Sequence, residues 1–552
     1  MRWKRELTGA MFALIVNGLA IHPVCLAQSR QASQLAQARK AIRHVVILFQ
    51  ENVSFDHYFG TYPHALNPNG EPAFHALPGT PKVEGYTEDL LKRNPNYLNP
   101  KNGKGRSNPF RLDRSQAATA DQSHEYGPEQ QAFDHGKMDL FPASVGHPDG
   151  PRVKGKHPGV LATSGITMGY FDGNTVTAYW NYAQHYAMSD HHFGVNFGPS
   201  TPGAINLISG QTNGVVNDQN AEGDVVSDDN GGFSLISDPD PVGDVCSSTS
   251  DSLAHMTGRN IGDMLTAANV SWGWFEGGFN LTVVNPNGST GCRRNTVSQI
   301  TGVRSRDYEP HHAPFEYYKS TANPRHIRPS SLRVVGMNDD GGANHQYDTN
   351  DFFDAVKAGN FPAVSYIKAP VFQDGHAGNS DPLDEQRWIV TVINFLQHQP
   401  EWDHTAVIIA YDDSDGWYDH LMSPTTNGSS TASDFLDGAG KCGNGATALP
   451  GVNPATKHAQ GRCGPGPRLP LIVISPWAKK NYVDHTLTTQ ASVMRLIEDL
   501  YLHSERLGQG STDAQSGSLL GMFDFSKGKP QNARRLILNP DTGLVETGKQ
   551  RH

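Results

Sequence analysis

Two short segments place oxygen-bearing side chains directly after apolar runs. Residues 44–50 (HVVILFQ) lead into Glu51 and Asn52, and residues 405–411 (TAVIIAY) lead into Asp412 and Asp413. A near-continuous apolar run of this length reads as a strand buried on both faces. In open α/β sheets, ligands collect outside the carboxyl ends of such strands. If the two strands lie side by side, Glu51, Asn52, Asp412 and Asp413 meet at one point. Three carboxylates and an amide are hard oxygen donors, the set that holds a divalent cation for hydrolytic chemistry. Adjacent carboxylates repel, so Asp412 and Asp413 at a buried strand end require a cation or a shared proton. Each segment also has a plainer reading: Asn52 or Ser54 as the cap of a helix starting at Phe55, and the acidic pair as a solvated turn.

A nucleophile for such a centre is offered by Ser200. It stands in the run 196–204 (NFGPSTPGA), ahead of the apolar stretch 205–208. Ser or Thr followed by Pro marks the start of a helix, and a helix N-terminus attracts phosphate. Ser200 is read either as a plain helix cap or as a nucleophile whose proton a nearby metal makes acidic. Among the 25 histidines, His124, His311, His312 and His376 stand in contexts rich in Asp, Gly or Pro. Imidazoles there would hold phosphate oxygens or protonate a leaving alkoxide. Each also has a purely structural reading.

The elements that must position these residues follow from periodicity. Strand-like runs lie at 44–50, 270–275, 362–367, 405–411 and 469–475. Residues 382–397 and 492–502 space their apolar side chains as helices do. Alternating strands and helices predict a largely parallel sheet with helices on both faces. The Gly/Asn/Asp/Ser-rich stretches 212–260 and 423–466 read as loops or lids. No repeat or linker interrupts the chain, so residues 41–552 are read as one elaborated domain.

The 552 residues carry a net charge of -10 with no basic run, which gives no nucleic-acid signature. Arg2, Lys4 and Arg5, the apolar stretch 10–20 and the small residue Ala27 have the form of a secretory signal peptide over 1–27. The apolar stretch is too short to be a transmembrane anchor. A polar leader follows at 28–40. The predicted product is exported, to the periplasm or beyond. Four cysteines remain after residue 27, an even number that suggests disulfides in an exported chain. Cys246 with Cys292 and Cys442 with Cys463 are the expected pairs, since each brackets a Gly/Ser/Asn-rich loop. A zinc site is the alternative, but no C-x-x-C spacing supports it.

The segment 51–57 (ENVSFDH) resembles the E-N-R-S-F-D-H signature of the bacterial phosphoesterase family, which includes secreted acid phosphatases and non-haemolytic phospholipases C. Residues 412–420 (DDSDGWYDH) are similar to that family's D-E-N-D-G-F-Y-D-H element. Further blocks around His124 and Asp139, Met168, Ser200, His311 to Phe315, and Arg468 to Trp477 keep the family order from about 41 to 526. The resemblance implies an alkaline-phosphatase-like α/β core and one divalent metal held by Glu51, Asn52, Asp412 and Asp413. All-oxygen ligation favours Ca²⁺, Mg²⁺ or Mn²⁺, with Zn²⁺ or Fe as alternatives. It also implies Ser200 as nucleophile, phosphate held by His124, His311, His312 and His376, and a proton donor in His376 or His312. Histidines that must be cationic would give an acidic optimum, since the unperturbed pKa is about 6.5. Three departures stand out. Val53 replaces the usual Arg, Asp413 replaces a Glu common among the phospholipases, and Ser200 stands where those often carry Thr. The last two favour a broad-specificity acid phosphatase acting on small phosphate esters through a phosphoserine. The alternatives are a phospholipase C acting on phosphatidylcholine-like diesters and a catalytically silent binding protein on the same scaffold. The chain ends shortly after Phe525, which on this resemblance leaves no room for the extra C-terminal domains of the large haemolytic phospholipases.

Overall fold

The computed structural model describes residues 23–147, 163–443, 459–530 and 535–546, with side chains from residue 32 onward. An eight-stranded sheet runs through it. In chain order its strands are β1 (His44–Gln50), β2 (Ala187–Ser189), β3 (Trp272–Glu276), β4 (Gln346–Asp348), β5 (Val364–Lys368), β6 (Thr405–Tyr411), β7 (Leu471–Ile474) and β8 (Tyr482–Asp484). Across the sheet the order is β4-β3-β5-β1-β6-β7-β2-β8. Strand β7 runs against its neighbours β6 and β2, and all other pairings are parallel. The centre of the sheet is β5-β1-β6. Residues 45–50 and 405–411 are fully buried, as expected of a parallel sheet covered on both faces.

Two groups of helices accompany the sheet. One contains α1 (Pro23–Ala41), α4 (Ser200–Ser209), α5 (Ile261–Ala267) and α8 (Gln490–Tyr501). The other contains α3 (Thr177–His185), α6 (Thr349–Lys357) and α7 (Pro382–Gln397), with Phe353 of α6 meeting the rings of Trp388 and Phe395 of α7. The five expected strands and both expected helices are present within two residues of their sequence-derived bounds. The fold class is α/β, as expected.

Other expectations change. The signal peptide lies largely outside the described residues. The stretch 28–40, read as a polar leader, belongs to helix α1, and its Ala38 is buried against the core. Residues 213–256 are not simply a loop. They build a second, five-stranded sheet whose strands are short and half-exposed, so their alternation is hard to see among the glycines and serines. Both disulfides form as paired from sequence, Cys246–Cys292 with Cα atoms 5.1 Å apart and Cys442–Cys463 with Cα atoms 5.9 Å apart. Among the described residues no helix is long and apolar enough to cross a membrane.

The loops that leave β1 and β6 are tied to one another by a buried ion cluster. Ser54 caps the short helix α2 (Phe55–Phe59) by accepting the His57 N–H, which leaves Asn52 without a capping role. Within α2, Asp56 accepts from Arg468 Nη2 at 2.9 Å and lies 2.6 Å from His420 Nδ1. Arg468 also donates from Nε to Asp419, and from Nη1 to the carbonyls of Glu84 at 2.7 Å and Asp190 at 3.1 Å. Its guanidinium stacks 4.3 Å from the Phe55 ring centroid. Burial alone would raise the Asp56 carboxyl, but His420 and Arg468 outweigh it and hold it below the usual range. Removing one partner of a buried pair costs about 3–5 kcal/mol because the other charge is left uncompensated. Arg468→Met is therefore expected to lower the free energy of unfolding by about that much. A urea titration with the wild-type midpoint would refute this.

Candidate active site

The register of the three central strands decides what meets at their carboxyl ends. Phe49 pairs with Lys368, the last residue of β5, and Gln50 pairs with Tyr411, the last residue of β6. One step further along, Glu51 and Asn52 leave β1 beside Asp412 and Asp413 leaving β6. Helix α4 delivers Ser200 from the side. The approach is close because residue 203 is glycine: a Cβ there would lie 2.2 Å from the Asp412 carbonyl oxygen.

Ser200 is the first residue of α4, and Pro199 occupies the cap position without a side-chain hydrogen bond. The capping reading of Ser200 is thereby replaced. Its hydroxyl is free for the site, where it lies 3.0 Å from Glu51 Oε2 and 3.2 Å from Asp413 Oδ2. The Asn52 amide has two orientations open to it. With nitrogen toward the carboxylates, it donates to Glu51 Oε2 at 2.6 Å and Asp412 Oδ1 at 2.8 Å, and its oxygen accepts from His376 Nε2 at 3.2 Å. Turned over, its nitrogen lies 3.5 Å from both Ser200 Oγ and His124 Nε2. Its oxygen then joins oxygens of Glu51 and Asp412 in a cluster of hard donors that a cation would hold together. Glu51, Asn52, Asp412, Asp413 and Ser200 thus fit a hard divalent ion, and all five are buried.

The outer oxygens of the same carboxylates face a fixed charge. Lys368 Nζ is hydrogen-bonded to Glu51 Oε1 and lies 3.7 Å from Asp412 Oδ2. His312 Nδ1 is 3.4 Å from Glu51 Oε1. Burial pushes the Glu51 carboxyl up, but His312 and Lys368 outweigh it and hold it well below the usual range. Burial, then the Glu51 charge, pushes Asp412 well above its usual value. Burial likewise pushes Asp413 up, to about 6, against the opposing charge of His124.

The four histidines separate. For His124, burial favours the neutral ring, but Asp413, Asp415 and Asp121 outweigh it and hold the pKa well above the usual histidine value. Its Nδ1 lies 2.8 Å from the Gln122 carbonyl and 3.3 Å from Asp415 Oδ1. His376 lies beside it, with ring centroids 5.7 Å apart and Nδ1 2.6 Å from the Ala377 carbonyl, leaving Nε2 toward Asn52. His312 is driven well below the usual value by burial, despite Glu51. His311 points elsewhere, to Asp240 at 3.7 Å and Glu309 at 3.6 Å. Against burial, those acids push it up to about 10. Its ring meets that of His312, and its carbonyl accepts from Thr201 Oγ1. His124 and His311 are thus raised by neighbouring acids while His312 is lowered by burial.

Lys368 and Asp374 are missing from the sequence-derived site. Lys368 closes an otherwise strand-like run, and a lysine at the buried end of such a run was the available signal. The carbonyl of Asp374 accepts the Glu51 N–H at 2.9 Å, and its carboxylate accepts the His376 N–H at 3.0 Å. Nothing in its spacing marked it.

Known proteins resemble this chain along most of its length. The non-hemolytic phospholipase C of Pseudomonas aeruginosa is 25% identical over 513 residues, covering 92% of this chain and 60% of that protein. The non-hemolytic phospholipase C of Burkholderia pseudomallei is 26% identical, covering 93% of this chain and 62% of its own. The chain thus spans about three-fifths of the length of these two relatives. Phospholipase C A of Mycobacterium tuberculosis is 23% identical, over 91% of this chain and 81% of its own. Among solved structures, the phosphonate monoester hydrolase SpPMH from Silicibacter pomeroyi overlaps 65% of this chain and 73% of its own at 12% identity, with a TM-score of 0.27, too slight a likeness to argue from. Residues 42–502 match the phosphoesterase family, and they include every residue of the site: the chain belongs to that family.

Proposed function

We propose that this protein is an exported, metal-dependent phosphoric ester hydrolase that works through a phosphoserine on Ser200. The observation that carries this reading is the Ser200 hydroxyl, uncapped and within hydrogen-bond reach of two carboxylates in an all-oxygen donor set. A divalent ion held by Glu51, Asn52, Asp412 and Asp413 would supply positive charge that favours the deprotonated serine and offsets charge on the phosphate oxygens. The Ser200 hydroxyl, held by Glu51 Oε2 and Asp413 Oδ2, gives up its proton to water that enters with the ester. Ser200 Oγ then bonds to phosphorus as the ester oxygen leaves. His124, whose pKa Asp413 and Asp415 hold well above the usual histidine value, holds a phosphate oxygen. His376 is favoured over His312 as proton donor to the leaving alcohol, since its Nε2 faces the site and His312 Nδ1 is turned to Glu51. Water subsequently cleaves the phosphoserine.

Two substrate readings remain within this reaction. The relatives' names favour phosphodiesters of the phospholipid type, attacked as by a phospholipase C. Ser200 and Asp413, in place of Thr and Glu, favour phosphomonoesters. The silent-scaffold alternative loses support from a donor set that is complete and spatially convergent. Two disulfides fit an exported protein, with periplasm or medium as the destination.

Ser200→Ala is expected to abolish turnover of both p-nitrophenyl phosphate and p-nitrophenylphosphorylcholine while divalent-ion binding persists. Residual turnover at the wild-type rate would remove Ser200 as nucleophile, and the preferred chromogenic ester in wild type decides between monoester and diester. Metal affinity should depend on pH with a definite sign. Asp412 and Asp413 must both be ionised to bind a cation, and burial beside like charge holds both protons above the usual carboxylate range, so affinity is weak at acidic pH and strengthens as pH rises. Chelator competition from pH 5 to 8 measures this, and a flat profile would contradict it. Lys368→Met should destabilise the metal-free protein by about 3–5 kcal/mol, because Glu51 and Asp412 lose their buried counter-charge. Added divalent ion should recover part of that loss in thermal melts. A variant that melts like wild type without metal would show that Lys368 is not compensating them.

A further inference from the structure

At the far edge of the sheet, β2 and β8 lie parallel, with Ser189 opposite Asp484. Their carboxyl ends point the same way as those of β1 and β6, so the residues that follow them lie on the same edge as Ser200. Asp190 follows β2 and His485 follows β8, with His191 next to Asp190. Asp190 is fully buried, its backbone held on both sides and one carboxylate oxygen fixed by a main-chain donor. Its Oδ2 accepts the Glu84 N–H at 2.8 Å, its own N–H donates to the Asp484 carbonyl at 3.2 Å, and its carbonyl accepts from Arg468 at 3.1 Å. One oxygen, Oδ1, is left facing outward. Two imidazoles converge on it: His191 Nδ1 at 2.9 Å and His485 Nδ1 at 2.7 Å, with perpendicular rings 5.9 Å apart.

We propose that Asp190, His191 and His485 form a second metal site, for Zn²⁺ or a similar first-row transition ion. Three features carry this. The donors are two imidazole nitrogens and one carboxylate oxygen, all within 4.8 Å of one another. That mixed set suits zinc and its neighbours, whereas the all-oxygen set at Ser200 suits harder ions. The carboxylate is fixed before any ion arrives, so its outward oxygen has a defined direction. The outer nitrogen of His191 lies 3.7 Å from Glu84 Oε2, so a small turn of the half-exposed Glu84 side chain would bring it into the hydrogen bond by which an outer carboxylate orients a ligating histidine. Zinc bond lengths of about 2.0–2.2 Å place tetrahedral donors roughly 3.3 Å apart. The present contacts must open by a few tenths of an ångström, and the His485 side chain, 63% exposed, is free to turn outward. With three protein ligands, a fourth position stays open to water. Bound metal would clamp the loop after β2 to the loop after β8 and strengthen the edge of the sheet.

The site is independent of the proposed reaction, and its test separates the two. Full-length protein is dialysed against Zn²⁺ near neutral pH, and bound zinc is counted by elemental analysis. The variants are His485→Asn, which alters one largely exposed side chain, and His191→Asn/His485→Asn. Wild type is expected to bind one zinc more than the double variant, with that zinc retained in excess Ca²⁺ and Mg²⁺. Co²⁺ in the same site should give visible absorption that is lost in both variants. Esterase activity of the variants should match wild type. Glu51→Gln, which disturbs the centre at Ser200, should keep the edge-site cobalt signal. Equal zinc counts and equal cobalt spectra in wild type and double variant would overturn the proposal, whatever the activity of the protein.

Discussion

The constraint on which the rest depends is the burial of like charge. Glu51, Asp412 and Asp413 lie at the ends of two neighbouring strands, all out of contact with water. Carboxylates so placed cannot all ionise without positive partners. Here the compensation is layered. Lys368 faces Glu51 from outside, His124 faces Asp413, and the cluster of inner oxygens around Asn52 is left to a cation. The protein keeps one permanent positive charge in the floor and leaves the remaining deficit to be filled. That unfilled deficit is what makes the inner oxygens a binding site rather than a salt bridge.

A second charge cluster supports the first from behind. Arg468 and His420 neutralise Asp56 and Asp419, residues that follow the two ligand-bearing segments by a few positions. The same guanidinium reaches the carbonyls of Glu84 and Asp190. Loops from four parts of the chain are thereby referenced to one planar group, whose fixed fork of donors suits several partners at once. The ligand-bearing loops are irregular, so their position depends on such ties rather than on a hydrogen-bond ladder.

Much of this was legible in the sequence, for reasons that differ by element. Strands β1 and β6 are uninterrupted apolar runs, and their polar successors had to lie at the sheet edge. Helix α7 declared itself by apolar spacing, and the cysteine pairs by the loops they bracket. The small sheet over 213–256 was not legible, because four of its strands have only two to four residues, and Val216 and Phe233 face outward while Ser234 is buried. The role of Ser200 needed the structure: a serine before proline signals a helix start, but only the backbone shows that Pro199 takes the cap and leaves the hydroxyl free. Lys368 carries no such mark, because a cation-binding pattern is made of oxygen and nitrogen donors, and the counter-charge of the ligands is itself a cation. His311 had the right type and neighbours, yet two acids one layer away draw it aside, a long-range effect that no local pattern carries.

Gly203 lets main chain touch main chain between α4 and the loop after β6. The separation of Ser200 from Asp412 and Asp413 is therefore set by backbone contact and is insensitive to which rotamers surrounding side chains adopt. The surface loops that meet the alcohol portion of an ester can diverge in length and composition without retuning that separation. Substrate range and reactive geometry are thus separable traits in this chain, and selection can alter the first while the second is inherited unchanged.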